Sequence, residues 1–254
     1  MAASKAGRKP HQLPPGRHGL SPAEVTESQR ERLLDGVMRA TAGRGFSDVR
    51  VADILGYAGV SRKTFYENFD DKEECLLAAY DREMGELLTV AATAFGDPDL
   101  TSWPVRARAG LIAFLQRLSE NPEASRVCFI DMIGAGEKAI TKREATLRNF
   151  TYFIDAARGE SDNEVPGRTA LALLGGLSEM ISSELLHGNP EQLEELAPDL
   201  VYLMCLPFLG PARSRKERER TATLVAAGAD AETGIDGANA EADDDAANDA
   251  RQST

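Results

Sequence analysis

The chain has 254 residues, 42% of them hydrophobic and 28% charged, which is enough apolar material for one large domain or two small ones. Its three cysteines are odd in number and lie far apart, so a disulfide framework is not indicated. We see neither an apolar run long enough to span a membrane nor a secretory h-region, and we expect a cytoplasmic protein without membrane contact.

The formal net charge of −12 is distributed unevenly along the chain. Residues 222–254 hold eight acidic side chains and one basic one, whereas residues 1–20 hold four basic side chains and no acidic one. The ends are also poor in large apolar residues. The sequence therefore predicts a disordered basic arm over residues 1–21 and a disordered charged and acidic tail over residues 211–254.

The basic arm allows two interpretations. A flexible arm that carries Arg8, Lys9 and Arg17 can lie in the minor groove of DNA beside a bound domain. The same composition is typical of a disordered segment that only aids solubility. The residues alone leave both possibilities open.

Between these ends the apolar residues recur at helical spacing, and no alternating pattern of useful length indicates a strand. This pattern predicts an all-α protein with about nine helices. In chain order we predict helices over residues 22–42, 51–57, 61–68, a long helix from 70, and then 104–120, 122–134, 137–158, 165–187 and 198–209.

The two short helices form the most specific pattern. The first has a predicted buried stripe made of Val51, Ile54, Leu55 and Ala58. Gly59 follows and can adopt the left-handed conformation that a tight turn needs. Ser61 is a suitable N-cap for the second helix. This spacing predicts a helix-turn-helix.

Phe65 and Phe69 should lie on the buried face of the second short helix, since they are four residues apart. The start of that helix then presents four polar side chains to a partner, namely Arg62, Lys63, Thr64 and Tyr66. In helix-turn-helix proteins such positions face base edges and phosphates in the major groove. A small helical subdomain that only packs against its neighbours is the alternative.

Lys72 stands in the predicted first turn of the next helix, where the helix dipole disfavours a cation. A bound phosphate would explain it, because helix N-termini and lysines both attract anions. A solvated lysine beside Asp70 and Asp71 is the alternative. Asp70 and Glu73 have the spacing of a capping box for this helix.

The stretch GFSDVRVADILGYAGVSRKTFYENFDDKEECLLAAY, from Gly45 to Tyr80, resembles the DNA-binding domain of the TetR (tetracycline-repressor) family. The resemblance implies an N-terminal three-helix helix-turn-helix domain over residues 22–72, with its motif at 50–69. It also implies a helical domain for dimerisation and ligand binding over residues 73–210.

The resemblance further implies contacts with DNA from Arg62, Lys63, Thr64, Tyr66, Asn68 and Lys72. Arg50 stands where the family usually has Thr or Ser at the start of the second helix. An arginine cannot cap a helix, but it can reach a phosphate, so we also include Arg50 among the predicted DNA contacts.

A single helix-turn-helix domain buries too little surface against DNA to select one site in a genome, so we expect a homodimer. The last two helices suit this role. The first of them has an apolar stripe at helical spacing, formed by Leu174, Leu177, Ile181 and Leu185, and small residues at Gly175 and Gly176 that permit close approach of another helix. Packing within one subunit is the alternative.

Aromatic residues and methionines on the middle helices could line a cavity for an apolar small molecule. The candidates are Trp103, Phe114, Phe129, Met132, Phe150 and Phe153. An ordinary core would show the same composition, and the expectation of an effector depends mostly on the family resemblance.

The sequence has no metal-ligand spacing, P-loop or dinucleotide fingerprint, so we expect no enzyme activity, catalytic residue, metal or cofactor. We therefore predict a homodimeric regulator, more specifically a repressor, that binds an operator in double-stranded DNA and is released by a small-molecule effector. A ligand-binding helical protein with a vestigial DNA-reading domain is the alternative.

Overall fold

The computed structural model describes residues 21–42, 44–161 and 163–252, with side chains through residue 228. Within these ranges the chain has nine α-helices and no strand, which confirms the predicted all-α architecture. The helices are α1 (Pro22–Ala42), α2 (Val51–Ala58), α3 (Arg62–Asn68), α4 (Lys72–Phe95), α5 (Trp103–Ser119), α6 (Pro122–Phe129), α7 (Glu137–Asp155), α8 (Thr169–His187) and α9 (Ala197–Gln252). The predicted basic arm, with Arg8, Lys9 and Arg17, lies outside the described residues except for Ser21.

Apart from the end of α9, two of the predicted helix boundaries differ clearly from the observed ones. Helix α6 ends at Phe129, and a short 3-10 turn (Asp131–Gly134) replaces its predicted last residues. Helix α8 begins at Thr169 rather than at residue 165, because a turn closed by the hydrogen bond from the Thr169 amide to the Pro166 carbonyl precedes it.

Helices α1, α2 and α3 form the N-terminal domain around fully buried Leu33, Ile54 and Phe65. Helix α1 crosses α2 at very close range at Gly36. A Cβ atom added to Gly36 would lie 2.8 Å from the carbonyl oxygen of Ile54 and 3.2 Å from the Cβ of Ala58. A glycine is therefore required for the observed distance between the two helices.

Helix α4 belongs to both parts of the molecule. Its first turns bury Cys75 and Leu76 among the residues of the N-terminal domain, and its later turns pack along α5. The two helices approach closely at Gly110, where an added Cβ would lie 3.0 Å from the carbonyl oxygen of Ala91. One continuous helix thus connects the N-terminal domain to the larger helical domain.

Ion pairs also join the two parts. The guanidinium of Arg82 on α4 lies 2.8 Å from both Glu31 and Asp35 on α1. Lys138, at the start of α7, lies 2.9 Å from Glu73 on α4. In addition, the turn Asp131–Gly134 packs against a second 3-10 turn, Phe46–Asp48, which immediately precedes α2.

The segment after residue 210 corrects the predicted disordered tail. Helix α9 breaks at Gly210, which has a φ of 70°, and then continues as helix. Ser214, Glu217 and Thr221 are buried, and Glu217 lies 2.9 Å from Arg108 on α5. This segment was predicted to be disordered, but these three positions share one helical face, and that face packs against the body of the protein.

Helix α8 is the only helix in the described ranges that is long and apolar enough to cross a membrane by length and composition. No such helix was expected from the sequence. It packs against α6 and α7, and its apolar window is one-third buried within the subunit. Leu177, Ile181 and Leu185 point into the subunit core, so this stripe does not form a subunit interface as predicted.

Candidate nucleic-acid interface and effector cavity

The turn between α2 and α3 has the predicted geometry. Gly59 has a φ of 64° and a ψ of 38°, in the left-handed region, and its amide donates to the Leu55 carbonyl. The Ser61 hydroxyl accepts a hydrogen bond of 3.0 Å from the Thr64 amide and so caps α3. Phe65 and Phe69 are buried, as expected. The buried phenylalanines and the cap together fix which face of α3 points outward.

Three of the predicted reader side chains lie on the exposed face of α3. Arg62 and Lys63 are exposed at its first two positions, and Tyr66 is 53% exposed. Lys63 forms a loose ion pair of 3.5 Å with Glu67 on the same helix. A pair this exposed contributes little to stability and can open at low cost. This surface, formed by Arg62, Lys63 and Tyr66, is called the reader surface below.

The remaining predicted contacts differ in how far they are engaged within the protein. The Thr64 hydroxyl lies 2.9 Å from the Ser61 hydroxyl, and the Asn68 amide nitrogen donates to the Thr64 carbonyl over 2.8 Å. The Arg50 side chain is exposed and makes no capping hydrogen bond. Instead, the Arg50 amide donates to the Asp53 carboxylate over 2.8 Å, which supplies half of a capping box.

Lys72 has structural partners that the sequence did not reveal. Its ammonium group donates to three backbone carbonyls of the loop before α2, at 3.0 Å for Phe46, 3.3 Å for Ser47 and 2.7 Å for Val49. It also lies 4.5 Å from the centroid of the Phe46 ring. These contacts account for a lysine at this helix start without a phosphate.

The N-cap of α4 lies one residue after its predicted position. The Asp71 carboxylate accepts from the Glu74 amide over 2.8 Å, and the Glu74 carboxylate accepts from the Asp70 amide over 2.6 Å. Asp71 is therefore the N-cap, and the helix begins at Lys72. Two neighbouring aspartates before an apolar helix make the two registers indistinguishable from the sequence.

The helices of the second domain form an apolar cavity of about 100 Å³ that opens to solvent. Phe114, Phe129, Phe150 and Phe153 line it, as predicted. Trp103 and Met132 do not. Trp103 is fully buried elsewhere, where its indole nitrogen donates to the Phe153 carbonyl over 2.7 Å, and Met132 is fully buried in the core.

The cavity has a small polar region that the sequence analysis missed. Arg143 on α7 lines it, and its guanidinium donates to the Ser178 hydroxyl on α8 over 2.9 Å. Tyr80 on α4 and Thr146 on α7 line the same cavity. Burial raises the pKa of Tyr80 to about 12, against the lowering effects of a hydrogen bond with Thr146 and the charge of Arg143.

The outer sides of α8 and α9 carry apolar and small residues that the subunit does not cover. Leu171 and Leu186 on α8 are each more than 40% exposed. Gly175 and Gly176 lie between them, exposed, and a Cβ added to either would meet no atom within 4 Å. On α9, Tyr202, Leu203 and Leu206 are half-buried. We call this surface the α8–α9 face.

A helix-turn-helix with an outward-facing second helix, joined to a larger all-helical domain, is the arrangement of a DNA-binding regulator. Residues 33–79 match the family model described as bacterial regulatory proteins, tetR family. The N-terminal domain is therefore a TetR-family domain, which confirms the resemblance found in the sequence. No curated protein sequence matches the chain significantly.

Solved structures show the same fold over most of the chain. The fatty acid degradation regulator FadR from Bacillus halodurans is 17% identical with a TM-score of 0.62, and the match covers 69% of this chain and 94% of that one. FadR from Bacillus subtilis, in complex with stearoyl-CoA, is 16% identical with a TM-score of 0.62, covering 71% and 98%. A TetR-family regulator from Marinobacter aquaeolei VT8 is 20% identical with a TM-score of 0.55, covering 70% and 97%. All three are named as regulators, and at these identities they establish the fold.

Proposed function

We propose that the protein is a homodimeric transcriptional repressor that binds an operator through α3 and leaves it when a small molecule occupies the cavity. The observation that carries the proposal is the reader surface. Arg62, Lys63 and Tyr66 are exposed together on α3, while buried Phe65 on its opposite face anchors it to the core. A helix held in this way can enter a major groove without rearrangement of the core.

Within this proposal, the side chains of the reader surface have different tasks. Arg62 suits a guanine edge, because its guanidinium can donate two parallel hydrogen bonds to O6 and N7. Lys63 and the Tyr66 hydroxyl suit phosphates, as does Arg50 at the start of α2. Thr64 and Asn68 remain in the proposed interface, although each already has a hydrogen bond within α3. Lys72 remains a proposed phosphate contact only if DNA displaces its carbonyl partners.

The α8–α9 face supports a dimer. Exposed Leu171 and Leu186 would be covered by a second subunit, and Gly175 and Gly176 would allow two copies of α8 to approach closely. An isologous two-fold contact would place two copies of α3 on the same side of the assembly, as a palindromic operator requires. It would also account for the low burial of α8, so we assign the protein to the cytoplasm rather than to a membrane.

The cavity supports control by an apolar effector. The FadR structure from Bacillus subtilis contains stearoyl-CoA, so this fold accommodates a long-chain ligand in that protein. Here α4 lines the cavity with Tyr80, Met84 and Phe95, and it begins directly after α3. A ligand that displaces α4 would thus change the spacing of the two reader helices, which couples effector binding to DNA release.

The proposal can be tested by selecting bound DNA from a random pool and then measuring affinity at several salt concentrations. We expect a palindrome with half-sites about one helical turn apart. The logarithm of the association constant should fall with the logarithm of salt by about 0.9 for each phosphate neutralised.

A vestigial reader domain would give no enriched sequence and no dependence on Arg62. The matched control is Arg148→Ala, since Arg148 is exposed on α7, away from the reader surface. Loss of selection with Arg62→Ala but not with Arg148→Ala would assign the activity to α3.

A further inference from the structure

Arg143 is the charged side chain in the wall of the cavity. It lies on α7 beside Phe150 and Phe153, which line the apolar part. Its guanidinium donates to the Ser178 hydroxyl over 2.9 Å, and Ser178 is only 4% exposed. The hydrogen bond therefore holds the partly buried guanidinium against α8 at the wall of the cavity.

The charge of Arg143 lacks a carboxylate partner among the side chains that the structure describes. The other basic residues of α7 are paired: Lys138 with Glu73, Lys142 with Asp81 and Arg148 with Glu144. A guanidinium has five N–H donors, and the bond to the Ser178 hydroxyl uses only one of them. A partly buried cation in apolar surroundings is unfavourable unless it meets an anion.

Neutral polar groups surround the same point. Thr146 follows Arg143 by one helical turn, and the Tyr80 hydroxyl forms a hydrogen bond with Thr146. Tyr80 also interacts electrostatically with Arg143, and its phenol is neutral at physiological pH, since burial moves its pKa further above the ordinary value, to about 12. The guanidinium and one of these two hydroxyls can therefore donate hydrogen bonds to one oxygen-rich group, while the rest of the wall is apolar.

We propose that the ligand of this cavity is an alkyl carboxylate whose head group pairs with Arg143 and whose chain lies against Phe114, Phe150 and Phe153. The inference rests on the proposed function and narrows its effector from any apolar molecule to a chain with an anionic end. Arginine pairs with carboxylates through two parallel hydrogen bonds, which fixes the orientation of the bound molecule. A neutral chain of equal length would fill the apolar part and leave the charge unpaired.

The test is calorimetric binding of decanoate and decanol to the full chain, its Arg143→Gln variant and a matched control, Arg148→Gln. We expect the wild type and the control to bind decanoate at least about 10-fold more tightly than decanol, because a hydrogen bond to a charged group is worth about 1.5–3 kcal/mol. Arg143→Gln should weaken decanoate binding by about 10- to 100-fold and leave decanol binding unchanged. Retained decanol binding would show that the variant has kept its cavity.

Decanoyl-CoA has the same alkyl chain but carries a thioester in place of the carboxylate, and its negative charges lie on the CoA phosphates. It therefore distinguishes a free carboxylate from an acyl-CoA as the source of the anionic group. Binding of decanoyl-CoA but not of decanoate would overturn the proposal. Equal affinities of the wild type for decanoate and decanol, or no binding of either, would also overturn it. So would decanoate binding that Arg143→Gln leaves unchanged. If Arg143→Gln does not fold, the wild-type preference and the Arg143→Lys variant, which keeps the charge but not the bidentate geometry, decide the same question. Operator binding without ligand, measured in parallel, tests the proposed function separately.

Discussion

The DNA-reading end and the cavity end of this molecule are built in opposite ways. The reader surface takes its side chains from a single seven-residue helix, and those side chains are exposed on a tightly packed support. The cavity takes its walls from α4 through α9, and its side chains face inward around empty space. Substitutions of the exposed side chains on α3 should therefore change the affinity for DNA without changing the free energy of unfolding. Substitutions in the cavity wall should change both the affinity for a ligand and the free energy of unfolding.

The largest expected effect contrasts two phenylalanines. Phe65 is fully buried beneath α3, and Phe150 borders the cavity. Phe65→Ala should lower the free energy of unfolding by about 3–5 kcal/mol, because it leaves a new void in a packed core. Phe150→Ala should cost at least about 1 kcal/mol less, since one side of its ring already faces empty space. Denaturant unfolding of both variants checks this, and equal losses would mean that the cavity wall is packed as tightly as the support of α3.

Arg62→Ala should weaken specific operator binding by about 1–3 kcal/mol if the side chain reads a base. Its exposure predicts an unfolding midpoint within experimental error of the wild type. Fluorescence anisotropy with the selected operator and a scrambled duplex measures both affinity and preference. An unchanged ratio between the two duplexes would assign Arg62 to the phosphate backbone instead.

Lys72→Met tests whether Lys72, at the boundary of the two regions, stabilises the loop before α2 rather than contacting a phosphate. It keeps the length of the side chain but removes the three hydrogen bonds to the carbonyls of Phe46, Ser47 and Val49. We expect the free energy of unfolding to fall by about 1–2 kcal/mol, since water can satisfy part of these acceptors. An unchanged free energy of unfolding would contradict this structural role. If the slope of the logarithm of the DNA association constant against the logarithm of salt also fell by about one, Lys72 would instead contact a phosphate, as the family resemblance implies.

The smallest expected effect concerns Asp131, in the turn that packs against the loop before α2. Burial raises the pKa of its carboxyl, against the charge of Arg126, and its Oδ2 atom is buried without a hydrogen-bond partner in the described part of the chain. A carboxyl whose pKa is higher in the folded state than in the unfolded state binds its proton more tightly when the protein is folded. Its contribution to the free energy of unfolding is therefore fully present at acidic pH and is lost as the pH rises through the raised pKa.

Asp131→Asn should therefore gain stability over the wild type between acidic and neutral pH, by no more than about 0.5 kcal/mol because the group is partly exposed. Thermal unfolding at several pH values measures the difference. Asp99→Asn, at an exposed position, serves as the control and should show no such trend. A difference that is independent of pH would assign the effect to packing rather than to ionisation.

The same contrast explains what the sequence could predict. The turn at Gly59, the cap at Ser61 and the buried faces of Phe65 and Phe69 are local, because each depends on residues a few positions away. The cavity depends on contacts between distant residues. Trp103 and Phe114 are both large and apolar, and nothing in their neighbourhood indicates that one fills the core and the other borders a void.

Two further errors have related causes. The stripe of Leu177, Ile181 and Leu185 was assigned to a subunit interface, yet burial within one chain and burial between chains use the same helical period. Arg143 was missed because it stands among Lys142, Glu144 and Arg148, a pattern typical of a solvated helix face. Only the position of α8 shows that one of these charges points inward.

The contact at Gly36 has a consequence for genetics. A methyl group at this position would meet the backbone of α2, and the clash could be relieved only by moving the whole motif that presents α3. A screen for alleles that have lost gene control should therefore recover Gly36→Ala among its hits, although this residue is far along the chain from the side chains proposed to touch DNA.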